Sequence, residues 1–199
     1  MIENNKSYRT TEFAKYEFDL LLPLKSCDLR VRRATEEDLG DICDLGNNNI
    51  PNSNVDACLV WDVICRNYDS IFVFEKNDII IGGYAMLMLT PIGLERLLLG
   101  EFDGANPDFK CMAKTGESPA AQYLWGIVGP GVAIDGIRYI SQFLQQPKYQ
   151  NINLFVRPVT DAGVRLISSL GYEPIETAGG GLYRYVRLVN REPKLQRAA

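Results

Sequence analysis

The sequence predicts a single domain of the α/β (α+β) class, and three observations carry that reading. Short runs in which apolar and polar residues alternate, as in a half-buried strand, interleave with segments whose apolar residues recur at helical spacing. Two apolar runs flank the polar stretch Glu75-Lys76-Asn77-Asp78, a hairpin signature. The 199 residues, 46% hydrophobic and 23% charged, suffice for one sizeable core. The domain is expected over 28–189, with an N-terminal arm at 1–27 and a flexible polar tail at 190–199.

Each element has a local reason. The arm mixes polar residues with Tyr8, Phe13, Tyr16 and Phe18, whose rings need cover from this chain or a second one. Leu29-Arg30-Val31-Arg32 alternates as a strand does, and Thr35 reads as the N-cap of a helix. Glu36, Glu37 and Asp38 then complement the helix dipole. That helix buries Leu39, Ile42, Cys43 and Leu45 and is expected to end near Gly46. Residues 47–54, rich in turn formers, form a loop, and a second helix is expected over 55–67. The hairpin strands hold Ile71-Phe72-Val73-Phe74 and Ile79-Ile80-Ile81, the second continuing through residue 87. An apolar segment with Leu94, Leu97, Leu98 and Leu99 follows. The stretch 100–119 reads as an insertion over one end of the sheet, a lid or a substrate wall. Then come a strand at 122–128, a glycine-rich turn at 129–131 and a helix at 132–144. A buried strand at 152–156 precedes a helix at 160–170 with Gly171 at its C-cap, and a strand at 182–188 closes the domain.

Composition narrows the chemistry. The chain contains no histidine, which removes Ser-His-Asp and Cys-His mechanisms and the usual neutral-pH base. Cys27, Cys43, Cys58, Cys65 and Cys111 form no CxxC pair, so reduced thiols are expected and no metal site. A net charge of −4 argues against a nucleic-acid partner or an anionic membrane. The start of the chain lacks a signal-peptide layout, and no run of about 18 apolar residues occurs, which points to a cytoplasmic protein without a membrane span.

The segment 122–138 carries the functional signal. A strand that runs into glycines and then a helix leaves backbone amides aimed at one spot, a ready anion site. The P-loop pattern fails because no Lys-Ser or Lys-Thr follows the glycines. The Rossmann fingerprint fails because the next strand ends Phe155-Val156-Arg157-Pro158, without the acidic residue. The order of elements instead resembles the GNAT family of acyl-CoA-dependent N-acyltransferases, over about 160 residues. That family's turn reads Gln/Arg-x-x-Gly-x-Gly/Ala, and Val128-Gly129-Pro130-Gly131-Val132-Ala133 matches it at Gly131 and Ala133 but not at Val128. Downstream, 160–172 keeps Leu166, Gly171 and an aromatic at Tyr172, while Ile167 stands where the family often places a Tyr acid.

The resemblance implies a mixed, mostly antiparallel central sheet flanked by helices, with the fourth strand splayed from the fifth. It implies acetyl-CoA, or another acyl-CoA, as co-substrate, cradled at Ile127, Val128, Gly129, Gly131, Val132 and Ala133. An amine would attack the thioester directly, the acceptor being a small molecule or a peptide. Tyr123 and Glu101 are candidate catalytic residues, although a strand Tyr also suits packing and Glu101 also suits a solvated surface. Glu95, Asp135 and Cys111 are weaker candidates. Glu95 suits a solvated surface, Asp135 is most simply a dipole-compensating residue, and Cys111 lacks an accompanying base. The Gly179-Gly180-Gly181 run reads as a hairpin connection or a phosphate-friendly loop. Two other readings stay open: a catalytically degenerate GNAT-fold interaction module, favoured by Val128 and Ile167, and an autoinducer-synthase-like enzyme. The arm and the final strand offer surfaces for pairing as a homodimer.

Overall fold

Strands with apolar residues on both faces must be covered by helices on both faces, and the chain folds that way. The computed structural model describes residues 17–22, 28–51 and 53–191. Its elements are β1 (Arg30–Arg33), α1 (Leu39–Asn49), α2 (Ala57–Arg66), β2 (Ile71–Lys76), β3 (Ile79–Leu89), α3 (Pro91–Leu99), β4 (Ala121–Val128), α4 (Ala133–Phe143), β5 (Asn153–Val156), α5 (Asp161–Ser169), β6 (Glu173–Ile175) and β7 (Leu182–Tyr185). The strands form one seven-stranded sheet in the order β1-β2-β3-β4-β5-β7-β6. Every neighbouring pair is antiparallel except β4 with β5, which is parallel.

Alternation along β3 shows how the sheet serves two cores. Tyr84, Met86 and Met88 face one core with Ile137 and Ile140 of α4 and Ile167 of α5. Leu87 and Leu89 face the other, with Val60 and Val63 of α2 and Leu97 of α3. Helix α4 lies very close to the sheet, since a Cβ at Gly136 would overlap the ring of Phe74. This contact seats the first turn of α4 on Phe74 of β2.

The β2–β3 hairpin closes through Asn77 (φ 53°) and Asp78 (φ 60°), the two left-handed residues a tight hairpin turn requires. Helix α3, legible in the sequence only as an apolar segment, has Thr90 as N-cap, its hydroxyl accepting from the Gly93 amide at 3.2 Å, with Pro91 at its first turn. Thr160 likewise caps α5, accepting from the Gly163 amide at 2.9 Å. Helix α1 does not end near Gly46 but continues to Asn49. Gly46 is a contact point, not a terminator: a Cβ there would stand 2.7 Å from Val55 Cγ2. The stretch 100–119 is only partly a loop over the sheet. Phe102, Cys111, Met112 and Ala113 are buried, Met112 bridges Leu89, and the Met112 carbonyl accepts from Arg66 Nε at 2.9 Å. The final strand ends at Tyr185 and not at 188, and the short edge strand β6, which carries Pro174, had no strand-like pattern.

The described part of the arm lies on its own domain. Phe18 is buried against Tyr172 and Tyr185, with ring centroids at 6.4 and 5.7 Å. At the other end Arg191 pairs with Glu17 at 3.0 Å. Tyr8, Phe13, Tyr16, Cys27 and residues 192–199 lie outside the described residues.

The expected N-cap region is also an electrostatic clamp. Thr35 precedes a short 3₁₀ turn, and Asp38 there receives two bonds from Arg32, at 2.6 and 2.8 Å. Glu75 of β2 accepts from Arg32 Nε at 2.8 Å, so one guanidinium joins β1, β2 and the start of α1. Arg32, aided by the Thr35 amide and hydroxyl and opposed by burial, lowers the Asp38 carboxyl from 3.8 to about 2. The folded value is the depressed one, so this stabilisation is complete above about pH 4 and disappears as pH falls from 3.8 through about 2. It amounts to about 2 kcal/mol. Urea unfolding at pH 2 to 5 is expected to show Asp38→Asn losing less stability on acidification than wild type, by about that amount. Equal slopes would show that the clamp does not titrate.

Candidate functional site

The parallel pair β4–β5 is in register only from Ala121 opposite Asn153 to Leu124 opposite Val156. Beyond Leu124, β4 runs on to Val128 beside β3 while β5 stops and the chain turns away through Arg157 and Pro158. On the β5 side, Trp125, Gly126, Ile127 and Val128 therefore face no strand. The gap opens into a cavity of about 700 Å3. Its walls come from α1, α2 and their connection (Leu45, Ile50, Val55, Leu59), from β4, from Val156 to Thr160, from Leu166 and Ile167 of α5, and from Gly104 and Ala105. Apolar side chains dominate, and among the described lining residues Arg157 is the one charged side chain.

A β-bulge shapes the wall. Ala85 pairs with Gly126 and Met86 with Leu124, so Trp125 is an extra residue in β4. Trp125 packs into the α2–α3 core, and a Cβ at Gly126 would meet Ile50 at 3.5 Å, also on the α1–α2 side. Ile127 returns to the α4–α5 side. The indole Nε1 donates to the Gly104 carbonyl at 2.6 Å, tying the 100–119 stretch to the cavity edge.

At the end of β4 the chain turns into α4. The amides of Val132 and Ala133 both donate to the Gly129 carbonyl, at 3.0 and 2.9 Å, which closes the turn. The Gly136 amide reaches back to the Val132 carbonyl at 3.0 Å. Among the described residues the amides of Gly131, Ile134 and Asp135 have no backbone or side-chain acceptor. Gly131 holds φ +77°, and a Cβ there would meet nothing within 4 Å, so the space before the helix is open. Open amides, open space and a positive helix end fit a phosphate-bearing ligand.

No family model matches the chain, and no curated protein matches its sequence. Solved structures do match. Ard1 from Thermoplasma volcanium superposes with a TM-score of 0.56 at 10% identity, over 81% of this chain and 99% of that one. The loading GNATL domain of CurA from Lyngbya majuscula gives 0.55 at 14% identity, over 79% and 97%. An N-acetyltransferase from Staphylococcus aureus Mu50 gives 0.53 at 17% identity, over 79% and 98%. The chain has the GNAT fold. The mostly antiparallel seven-stranded sheet with helices on both faces is that architecture.

Within the GNAT fold the residues singled out by sequence separate into two places. Tyr123, Ile127 and Val128 line the cavity. Gly129, Gly131, Val132 and Ala133 continue from it as the turn. Glu101 is exposed and sits elsewhere, in a depression of about 120 Å3 with Arg96, Asp108 and Cys111. Asp135 stands 3.8 Å from Arg138, and Glu95 is exposed outside the cavity. Cys111 is buried, with Arg96 Nη1 at 3.6 Å from its sulfur. The Gly179-Gly180-Gly181 run connects β6 to β7, and Gly179 packs against Gly100 and Arg157. Ile167 is buried in the cavity wall, so an apolar group occupies that position.

Sequence reasoning missed Arg157, the Trp125 bulge and the apolar α1–α2 wall. Arg157 was visible as the charged end of an apolar strand, but only the register of β4 with β5 shows that it faces the cavity. Burial pushes the Tyr123 phenol above its usual value of 10, and the nearby Arg157 charge opposes that rise. At neutral pH Tyr123 therefore holds its proton. Among the described residues no helix is long and apolar enough to cross a membrane, and no group of three or more His, Cys, Asp or Glu is placed to hold a metal.

Proposed function

We propose that this protein is an acyl-CoA-dependent N-acyltransferase that uses acetyl-CoA or another acyl-CoA and acylates an amine on a small molecule or a peptide. The observation that carries this reading is the gap between β4 and β5 leading directly to a turn whose Gly131, Ile134 and Asp135 amides are open. An acyl thioester, when bound, supplies the acyl group: the N–C bond forms as the C–S bond breaks, the amine gives up a proton and the thiolate gains one.

The chain's own residues account for the rest. The turn amides hold the pyrophosphate, in the space that Gly131 leaves clear. The β5-facing backbone of Trp125 to Val128 aligns the extended arm of the cofactor and offers amides to the carbonyl oxygen. Ile127, Leu166 and Ile167 exclude water around the thioester. Tyr123, protonated at neutral pH, donates toward the leaving sulfur. No carboxylate lines the cavity among the described residues, so the amine proton leaves through solvent.

Release of free CoA thiol, followed colorimetrically against a panel of amines, tests the reading. Tyr123→Phe is expected to lower kcat roughly 100-fold while acetyl-CoA affinity stays within about twofold. If folded wild type binds neither acetyl-CoA nor longer acyl-CoAs in calorimetry, the acyltransferase reading fails. Binding without turnover of any amine would favour the interaction-module reading, for which the apolar Val128 and Ile167 already speak.

A further inference from the structure

Arg157, the one charged side chain among the described lining residues of the cavity, leads to the class of acceptor. A guanidinium taken partly out of water needs an anion or several hydrogen bonds. The other inward-facing arginines have them: Arg32 pairs with Asp38 and Glu75, and Arg187 with Asp19. Arg157 does not. Its one hydrogen bond among the described residues is long, 3.4 Å from Nη2 to the Leu97 carbonyl, and its buried Nε has no partner there. No carboxylate of the described residues lies within ion-pair distance of it. Gly179 packs on the guanidinium, where a Cβ would come within 2.8 Å of Nη2, so the loop before β7 limits its retreat.

The side of the sheet on which Arg157 sits narrows the reading. Leu154 and Val156 face the core under α4 and α5, whereas Phe155 and Tyr123 face the core under α2 and α3. The contact with Leu97 of α3 puts Arg157 on the second side, opposite the glycine turn that opens α4. In the same cavity the α1–α2 connection and the start of α2 offer Ile50, Val55 and Leu59 but no acidic group among the described lining residues.

We propose that the acceptor is an amine that also carries a carboxylate and an apolar body, such as an apolar α-amino acid, with Arg157 as the residue that receives the carboxylate. This rests on the acyltransferase reading, in which the cofactor comes from the α4 side and the acceptor from the α1–α2 side. The planar fork of Arg157 matches a carboxylate in two-point contact, and the Leu59 side of the cavity takes the aliphatic or aromatic body. A polycationic acceptor finds an arginine where it would need an acid.

Two measurements on the full chain test this. The first needs neither cofactor nor turnover: calorimetry with N-acetyl-L-leucine, a product of the proposed reaction, and with its amide. Wild type is expected to bind the acid at least about tenfold more tightly than the amide. Arg157→Gln should erase that difference, and Arg157→Lys, which keeps charge but not the fork, should retain part of it. The second compares thiol release with leucine and phenylalanine against their amides; kcat/KM should favour the acids by a similar factor in wild type and not in Arg157→Gln, with acetyl-CoA affinity unchanged. Equal handling of acid and amide by wild type, or a preference that survives Arg157→Gln, would overturn the proposal. A failure of acetyl-CoA to bind at all would instead remove the underlying acyltransferase reading.

Discussion

Replacing Gly131 with glutamate is expected to raise the Kd for acetyl-CoA at least roughly 100-fold, to the limit of calorimetric detection. The reasoning combines conformation, space and charge. Gly131 sits at φ +77°, which costs a side-chain-bearing residue about 1–2 kcal/mol. Nothing in the protein lies within 4 Å of where its Cβ would be, so the new side chain is not expelled by neighbours. It projects into the space before α4, where the Ile134 and Asp135 amides await an acceptor. A carboxylate is a good ligand for a helix N-terminus, so it would occupy the site the pyrophosphate needs and repel it as well. Losing two charge-assisted hydrogen bonds alone accounts for about 3–6 kcal/mol. Gly131→Ala separates the effects: it carries the backbone cost without the charge, and its affinity should fall less than about tenfold. If a well-folded Gly131→Glu protein binds acetyl-CoA like wild type, the turn is not the cradle.

The features legible in the sequence were those with local causes. The Asn77-Asp78 hairpin, the Thr35 cap and the glycine turn each depend on a few adjacent residues whose backbone preferences are fixed. The GNAT resemblance then ordered these pieces into one sheet. Features with long-range causes were not legible. Gly46 looked like a helix end because its role, making room for Val55, depends on how the following loop folds back. Cys111, Met112 and Ala113 lay in a segment dense with turn formers, yet pairing with β3 buries them.

The site divides in the same manner. The turn residues announce themselves through spacing, whereas the cavity exists only because β5 stops at Val156 while β4 continues to Val128. A difference in strand length is invisible without register, and so is the Trp125 bulge, which places two successive residues on one face. Tyr123 and Glu101 were both candidates in the sequence. The structure sets one in the cavity and the other in the small depression beside Arg96 and Asp108.

Arg187→Ala is expected to cost about 3–5 kcal/mol of stability, a large part of the roughly 5–15 kcal/mol typical of a domain. Strand β7 ends at Tyr185, and two residues beyond it the Arg187 side chain points inward, only 2% exposed. Its Nε lies 2.6 Å from Asp19 Oδ1. Nη1 donates to the Leu144 and Tyr149 carbonyls, both at 3.1 Å, and Nη2 donates to Leu144 at 3.1 Å. One guanidinium thus joins the short turn of the arm, the C-cap of α4 and the loop leading to β5. Truncation leaves a cavity, two carbonyls short of a donor and a nearly buried Asp19 carboxylate held only by the Leu188 amide. Asp19→Asn alone should cost less, because the Arg187 guanidinium it leaves without an anion keeps its three hydrogen bonds to the Leu144 and Tyr149 carbonyls. In a double-mutant cycle the protein carrying both Asp19→Asn and Arg187→Ala should be more stable than additivity predicts. Urea unfolding of the four proteins measures this directly. A loss below about 1 kcal/mol for Arg187→Ala would mean that water can replace the guanidinium. Acetyl-CoA affinity should not change in the folded variant, since none of the groups Arg187 touches borders the cavity. That separation distinguishes a residue that holds the arm on the domain from one that serves the site.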